Sequence, residues 1–355
     1  MKVLVTRTDR LGDLVLSLPA VDLLAAARPD WEIHLMVAPA AVPLVEHHPH
    51  LARIWTWDDQ LAGPDRAALG DALRAEGFAA AVLLQYRREL ALLLRQAGIG
   101  RRHGPWSKPS SWLLLNRGTW QARSRRRAHE ADLGAELVAA LAGAAAGQPA
   151  LPRLHPDPEA LARGHAFRRE RAAGAETVAY VHPGSGGSAL DWAPERFAAL
   201  ASELAAIPGW RVFVTGAGGD AAAVEAMGGL LDPRVEVVLD AWDLRRLLGV
   251  LAAGDVFVGP STGPLHMAAA LDLATLGLYP PVRAMAPARW GPRGRWAEAL
   301  VPAVDCPARR TCRRTGCALW NCMDALETGA VAAAVAALAR RRSIGKTTDT
   351  EGPQA

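Results

Sequence analysis

Two turns rich in glycine and small polar residues are the parts of this sequence best suited to chemistry. Residues 258–267 read V-G-P-S-T-G-P-L-H-M, a strand end that enters a tight turn and then a helix. Residues 181–188 read V-H-P-G-S-G-G-S and have the same character. Such turns direct backbone N–H groups and the positive end of a helix dipole toward an anion. Either turn alone is equally consistent with an ordinary loop, but two in one half of the chain predict a nucleotide diphosphate held between strand ends.

The leaving diphosphate of a nucleotide donor must be stabilised as its bond breaks. Backbone donors, hydroxyl groups and helix dipoles can provide this stabilisation without a metal ion. We therefore predict that the donor is bound by Ser185, Gly186, Ser188, Thr262, Gly263, Leu265 and His266. For His266 a core histidine that fixes the turn is an equally good interpretation, because histidine serves either role.

Basic residues are concentrated in one stretch, although the net charge of the 355-residue chain is only +4. Residues 95–129 contain nine lysines and arginines and no acidic residue, interleaved with Trp106, Trp112 and Trp120. This mixture is typical of a surface that meets an anionic lipid or a phosphorylated amphiphile. The predicted acceptor and membrane contacts are Arg101, Arg102, Arg125, Arg126 and Arg127. A solvated basic loop is the alternative, and no recognisable motif supports binding of nucleic acid.

Clustered cysteines raise the question of a metal site. The four cysteines, Cys306, Cys312, Cys317 and Cys322, lie within 17 residues. In a reducing compartment such a cluster indicates zinc rather than disulfides, but the gaps of five, four and four residues lack the usual C-x-x-C pairs. No Asp-x-Asp pair stands at a strand end near the two turns, and the adjacent Asp58 and Asp59 point apart. We therefore predict no metal ion and no cofactor.

Length and hydropathy predict two domains and no membrane span. Half of the residues are apolar, enough for two cores, and no apolar run approaches the roughly 20 residues of a span. The chain begins with a strand and shows no signal-peptide pattern, so we expect a cytoplasmic protein. An Ala-, Gly- and Pro-rich stretch at residues 143–158 predicts the linker. The predicted divisions are a domain over residues 1–150, a second over 151–325, a helix over 326–342 and a disordered tail over 343–355.

Short apolar strands alternate with helical patterns in both halves, which predicts α/β domains with doubly wound parallel sheets. One helix is expected over residues 13–27. Residues 214–221, V-T-G-A-G-G-D-A, also fit the G-x-G-x-x-A fingerprint of NAD(P)-dependent oxidoreductases, with Asp240 near the ribose-acid position. That fingerprint normally opens its domain, whereas here it follows the second strand, so an oxidoreductase is the weaker alternative.

Four segments, in this order, resemble one enzyme family. They are the opening K-V-L-V-T-R-T-D-R-L-G-D-L-V-L-S-L-P-A, the turn H-P-G-S-G-G-S, the loop S-T-G-P-L-H-M-A-A-A-L and the cysteine cluster that ends in Cys322-Met323. Together they resemble the ADP-heptose:lipopolysaccharide heptosyltransferases, glycosyltransferase family nine. The resemblance implies two facing Rossmann-like domains of the GT-B type with a C-terminal helix, and inverting transfer from an ADP-sugar. It also implies an anionic glycolipid acceptor, such as a lipopolysaccharide core. With such an acceptor, the basic stretch that carries the tryptophans predicts peripheral association with the inner face of the bacterial inner membrane.

The resemblance also places functional residues. The functional aspartate of the family matches Asp13, which follows the strand at residues 3–6 and is expected at the carboxyl end of the first sheet. A carboxylate there can take the proton of an acceptor hydroxyl as general base, with Asp9 on the same loop as the second candidate. The alternative role for Asp13 is an N-cap of the following helix. The family positions also place Trp242 beside the nucleotide base and Asp220 near the ribose.

One position departs from the family. Its members usually carry lysine or arginine two residues before the tryptophan that follows the H-P-G turn, where a cation can neutralise the leaving diphosphate. Here that residue is Leu190, and the candidate replacements are Arg283, Arg289 and Arg293. The departure leaves open a degenerate nucleotide-sugar-binding protein with weak or no transfer activity.

Overall fold

The computed structural model describes residues 1–121, 123, 128–145, 147, 150–187, 189–308 and 311–350, with side chains in the last helix described up to residue 346. The chain forms two compact units, Met1–His155 and Pro156–Ala355. Within the described residues, no helix combines the length and apolar character needed to cross a membrane.

The first unit is a six-stranded parallel sheet with helices between its strands. The strands are β1 Lys2–Thr6, β2 Glu32–Val37, β3 Arg53–Thr56, β4 Ala80–Leu83, β5 Arg101–Pro105 and β6 Arg117–Thr119. The helices are α1 Leu11–Val15, α2 Leu18–Ala27, α3 Gly63–Glu76, α4 Arg88–Gln96, α5 Pro109–Leu114 and α6 Glu130–Ala142. The strand order is β3-β2-β1-β4-β5-β6. The direction of winding therefore reverses between β1 and β4.

The second unit repeats this architecture. Its strands are β7 Thr177–Val181, β8 Trp210–Gly216, β9 Glu236–Leu239, β10 Val256–Pro260, β11 Ala274–Leu278 and β12 Ala297–Leu300. Its helices are α7 Pro158–Arg171, α8 Pro194–Ala205, α9 Ala221–Gly228, α10 Leu244–Ala252, α11 Gly263–Ala270, α12 Pro287–Trp290 and α13 Thr328–Thr350. The parallel sheet has the order β12-β11-β10-β7-β8-β9, so its winding reverses between β7 and β10.

Buried strands explain why both sheets are parallel and covered by helices. Val3, Leu4 and Val5 are consecutive in β1 and fully buried, as are all five residues of β10 and β11. A strand buried on both faces has no polar side for water, so helices must cover both faces of the sheet. The predicted doubly wound α/β fold is confirmed.

Two helices differ from the sequence prediction. The helix expected over residues 13–27 is two helices, α1 and α2, because Pro19 at the start of α2 has no N–H to continue the hydrogen-bond ladder. At the other end, α13 continues to Thr350 through part of the segment that was expected to be a disordered tail. Arg342 fixes this helix to its unit by donating to Asp255 at 2.9 Å and to the carbonyl oxygen of Asp272 at 2.6 Å. Residues 351–355 lie outside the described residues.

Candidate active site

In the second unit the two predicted donor turns leave the sheet side by side. The first follows β7 and the second follows β10, the two strands between which the winding reverses. The backbone N–H of His182 donates to the carbonyl oxygen of Val258 at 2.9 Å. A Cβ at Gly259 would lie only 2.7 Å from the carbonyl oxygen of His182, so this close approach requires glycine. Ligands of doubly wound sheets bind outside the carboxyl ends of the strands at such a reversal.

The turn after β10 presents the start of α11. Thr262 is the N-cap residue, but its side chain makes no capping hydrogen bond. Its hydroxyl oxygen is buried and has no hydrogen-bond partner within the described residues. Gly263 and Leu265 occupy the first turn, whose N–H groups have no partner inside the helix, and Pro264 between them has no N–H to donate. His266 is buried in the same turn.

The turn after β7 has the backbone of an anion cradle, but its serine is already engaged. Gly186 and Gly187 have φ of +56° and +77°, the left-handed region that favours glycine. The Ser185 hydroxyl donates to Asp191 at 3.0 Å and accepts from the N–H of Ala189 at 3.3 Å. The backbone N–H of Ser185 is hydrogen-bonded to the same carboxylate, so both polar groups of Ser185 hold the turn to Asp191. The predicted Ser188 lies outside the described residues.

Asp220 joins this turn to the loop after β8. One carboxylate oxygen accepts from the N–H of Ala217 at 2.9 Å and lies 3.6 Å from Nε2 of His182. A Cβ on Gly184 would overlap the Asp220 side chain, so the two loops pack without space between them. Burial lowers the pKa of His182, although Asp220 opposes this effect. The buried Asp220 side chain thus holds the loop after β8 against the turn after β7.

Trp242 follows β9, the strand at one edge of the second sheet, and packs against helix α7. Its ring packs edge-on against Phe167 of α7 at 5.3 Å between centroids. The two rings line a cavity of about 610 Å³, together with Arg246 of α10. The position of the Trp242 ring therefore depends on α7. Nothing in the sequence indicated this contact.

The leucine that replaces the family's cation is a core residue. Leu190 is 7% exposed and belongs to the hydrophobic core of the second unit, with Trp192 beside it at 1%. A lysine at position 190 with this backbone would have to leave the core. Among the candidate replacements, Arg289 stacks on the ring of Trp290 at 4.5 Å, Arg283 is exposed and Arg293 is half-buried.

In the first unit, Asp13 lies next to the reversal between β1 and β4. It is the third residue of α1, whose N-cap residue is Arg10. The interpretation of Asp13 as an N-cap is therefore wrong. Its Oδ1 accepts a hydrogen bond from Nη2 of Arg7 at 2.7 Å, and its side chain keeps 14% of its surface exposed. Burial raises the pKa of Asp13 to about 6, so the carboxylate is mostly ionised at neutral pH and basic enough to accept a proton.

Asp9, the second candidate, is less suited to act as base. Both of its carboxylate oxygens accept from Arg7, Oδ1 from Nε at 2.6 Å and Oδ2 from Nη2 at 2.9 Å. Within the residues that the structure describes, Asp13 is held through one oxygen only. Sequence reasoning missed Arg7, although its place at the end of β1 was a usable signal. It also missed Glu130 of α6, which accepts from Nη1 of Arg7 at 3.0 Å and lies 123 residues away in sequence.

The basic stretch divides into structural and exposed parts. Arg101 is exposed, whereas Arg102 donates to the carbonyl oxygens of Ile99 and Leu114 and so fixes the local backbone. Trp106 is half-buried against Gly118. Three apolar side chains remain in water, Trp112, Leu113 and Trp120, exposed by 56%, 77% and 64%. The predicted Arg125, Arg126 and Arg127 lie outside the described residues.

The cysteines are four free thiols, all half-buried. Cys312 and Cys322 pack against the core of the second unit. Burial raises the pKa of Cys322, and the other three thiols raise it further. The neutral form of the Cys322 thiol is therefore favoured.

The chain is similar to several known proteins. The family model described as glycosyltransferase family 9 (heptosyltransferase) matches residues 66–316. A Haemophilus influenzae protein, provisionally named a glycosyltransferase, is 28% identical over 300 residues, which cover 82% of this chain and 86% of the relative. A glycosyltransferase family 9 structure from Veillonella parvula has a TM-score of 0.80 at 17% identity, covering 96% of this chain and 97% of its own. E. coli ADP-heptose lps heptosyltransferase II has a TM-score of 0.78 at 20% identity, covering 97% and 100%.

These similarities decide between the alternatives for the enzyme class. The solved structures share the fold, two doubly wound units of the GT-B type with a C-terminal helix, which confirms the predicted architecture. The family match includes the turns after β7, β8 and β10, so the nicotinamide fingerprint at residues 216–221 belongs to a glycosyltransferase fold. Because the family model matches well over half of the sequence, the chain belongs to glycosyltransferase family 9 and is a glycosyltransferase.

Proposed function

We propose that this enzyme transfers a sugar, heptose in the first instance, from an ADP-sugar to a lipopolysaccharide core or similar anionic glycolipid, with inversion at the anomeric carbon. The observation that carries the proposal is the pair of turns side by side at the reversal between β7 and β10, where the buried Thr262 hydroxyl lacks a partner within the described residues. Two similar structures support the choice of donor, because they are described as E. coli heptosyltransferase WaaC with ADP and with ADP-2-deoxy-2-fluoro heptose.

On the donor side, the second unit would hold the diphosphate and stabilise it as it leaves. Gly186 and Gly187 allow backbone N–H groups to converge, and Thr262 adds a hydroxyl at the positive end of α11. The negative charge of the diphosphate grows as the bond from its oxygen to the anomeric carbon breaks. Fixed donors stabilise that charge without reorganising, which lowers the barrier of the transfer step.

On the acceptor side, the first unit would supply the base. The acceptor hydroxyl attacks the anomeric carbon and gives its proton to Asp13, while the ADP leaves from the opposite face. The new bond joins the acceptor oxygen to the anomeric carbon, and the electron pair of the broken bond remains on the diphosphate. One carboxylate therefore accounts for the proton, and no redox cofactor is required.

We expect transfer to proceed at its full rate in EDTA. Asp191 and Asp220 pack against the turn after β7, and each accepts a hydrogen bond through one oxygen, from Ser185 and from Ala217. The measurement is ADP release with and without EDTA, with thermal melting in parallel to separate loss of a catalytic ion from unfolding. An absolute requirement for a divalent ion at unchanged melting temperature would contradict the proposed mechanism.

We expect the protein to bind anionic vesicles through Trp112, Leu113 and Trp120. The ring centroids of Trp112 and Trp120 lie 6.3 Å apart. Two basic residues close to them in sequence, Lys108 and Arg117, are also exposed. Burial of even one large apolar side chain in a lipid interface contributes about 1.5–3 kcal/mol. Serine at all three positions should lower retention on phosphatidylglycerol vesicles at low salt by about tenfold or more, measured by co-sedimentation.

The matched control is Leu230→Ser, because Leu230 is exposed by 55% in the second unit. Charge reversal of Arg125, Arg126 and Arg127 should weaken retention as well, since surface charges attract anionic lipid. If vesicles retain both variants as strongly as the wild type, these residues do not bind the membrane and the prediction is wrong.

The proposed function is tested by a donor panel. Purified enzyme is incubated with ADP-, UDP- and GDP-sugars and a phosphorylated lipopolysaccharide core acceptor, and nucleotide release is measured. We expect release from ADP-heptose that depends on the acceptor. Binding of ADP-heptose without transfer would favour the degenerate binding protein suggested by Leu190. Transfer from a UDP- or GDP-sugar alone would replace the proposed donor.

A further inference from the structure

A buried arginine, Arg7, lies at the centre of the charges around Asp13. It is 3% exposed, and its guanidinium donates to Asp9, Asp13 and Glu130 at 2.6, 2.7 and 3.0 Å. Glu130 is 1% exposed and accepts a second hydrogen bond at 2.6 Å from Arg123. The loop after β1, helix α1 and helix α6 thus meet at one guanidinium. Its Nε donates to Asp9 and its Nη1 donates to Glu130. Its Nη2 donates to both Asp9 and Asp13.

This arrangement fixes the orientation of the guanidinium. Asp9 binds its Nε and Nη2 edge with both oxygens, while Glu130 holds Nη1 from the other end. A planar guanidinium held at both ends cannot turn about its side chain without losing charge-assisted hydrogen bonds. The remaining contact, from Nη2 to Oδ1 of Asp13, is therefore set by residues other than Asp13.

The consequence for Asp13 is that its two oxygens differ. Oδ1 accepts from Arg7, whereas Oδ2 has no hydrogen-bond partner within the part of the chain that the structure describes. A general base needs one oxygen oriented toward the proton that it takes, and a small misplacement of the reacting groups is costly.

We propose that Arg7, held in place by Asp9 and Glu130, is a positioning residue that fixes Oδ1 of Asp13 and leaves Oδ2 to take the acceptor proton. This inference rests on the proposed role of Asp13 as the base. In this role Arg7, which is 3% exposed, needs no contact with the substrate. It acts through the orientation and the charge of Asp13.

The charges around Asp13 also set the pH at which it works. Burial raises its pKa to about 6, Arg7 and Arg10 lower it, and Asp9 and Glu130 raise it. Because the base is active when deprotonated, turnover should fall as pH drops through about 6. Neutralising Asp9 or Glu130 removes a negative neighbour, so the ionised form of Asp13 becomes easier to reach and the acid limb moves to lower pH.

The first experiment is an NMR titration of the enzyme labelled with ¹³C at the aspartate side-chain carboxyl groups, in which the Asp13 signal is identified by its loss in Asp13→Asn. We expect a wild-type midpoint of about 6 and lower midpoints in Asp9→Asn and Glu130→Gln. Asp65→Asn removes an exposed acid at the start of α3 and should leave the midpoint unchanged. Unchanged midpoints in both test variants would overturn the inference.

The second experiment measures kcat and KM with ADP-heptose in Arg7→Lys. A compact ammonium keeps the charge but cannot reach three carboxylates in one plane, so kcat should fall by up to about a hundredfold while the donor KM is unchanged. If Arg7→Lys does not fold, the titrations of Asp9→Asn and Glu130→Gln still decide. Full turnover in Asp13→Asn would refute the base itself. An inactive Asp13→Asn with a fully active Arg7→Lys would refute only the positioning role.

Discussion

Asp13→Asn should reduce turnover by on the order of a hundredfold or more while leaving the fold and the affinity for ADP intact. Asparagine keeps the shape of the side chain, and its amide oxygen can still accept from Nη2 of Arg7, which bonds Oδ1 of Asp13 at 2.7 Å. Arg7 also retains two other carboxylate partners, Asp9 and Glu130. The variant loses the ability to take a proton and one of the three negative charges around Arg7.

The measurements for this variant are the rate of transfer, the melting temperature and ADP binding by calorimetry. Asp65→Asn, an exposed acid on α3, is the control for loss of one negative charge from the first unit. Turnover that survives the change would mean that Asp13 is a structural partner of Arg7 and that the base lies elsewhere.

Thr262→Arg should abolish detectable ADP binding at millimolar nucleotide. The Thr262 hydroxyl is buried at the start of α11, with no partner within the described residues, so a long side chain there would fill the space in front of the helix. The smaller change Thr262→Val removes only the hydroxyl. It should weaken ADP binding roughly tenfold or more, because a hydrogen bond to a charged group contributes about 1.5–3 kcal/mol.

Calorimetry with ADP checks both Thr262 variants. Thr177→Val, a half-buried threonine at the start of β7, is the matched control because it removes a hydroxyl from the same sheet far from its carboxyl end. ADP binding that is unaffected by Thr262→Arg would refute the donor site at the reversal between β7 and β10.

The fold could be predicted from sequence because its determinants are local. Strands such as β1 are short apolar runs followed by helical patterns, and that alternation requires a parallel sheet covered on both faces. The turns after β7 and β10 were visible for the same reason, since glycine, proline and small polar residues mark a turn by type. The split between α1 and α2 depends on one residue, Pro19, which interrupts an otherwise continuous helical pattern.

The site was only partly predictable because its contacts are not local. Glu130 reaches Arg7 from α6 across 123 residues of sequence, and no spacing rule connects them. The burial of Leu190 depends on how its loop packs against the core of the second unit. The hydrogen bond from Ser185 to Asp191 likewise decides which atoms of that turn remain for a ligand. Such features follow from tertiary packing, which residue types alone do not specify.

The stereochemistry of the product tests the proposed mechanism most directly. In that mechanism the first unit provides the base and the second unit binds the diphosphate. The enzyme is incubated with ADP-heptose and a phosphorylated lipopolysaccharide core acceptor, and the anomeric configuration of the transferred sugar is determined by ¹H NMR. Direct attack by a hydroxyl that gives its proton to Asp13 predicts a configuration opposite to that of the donor. Retention of configuration, or no transfer at all from ADP-heptose, would contradict the proposed function.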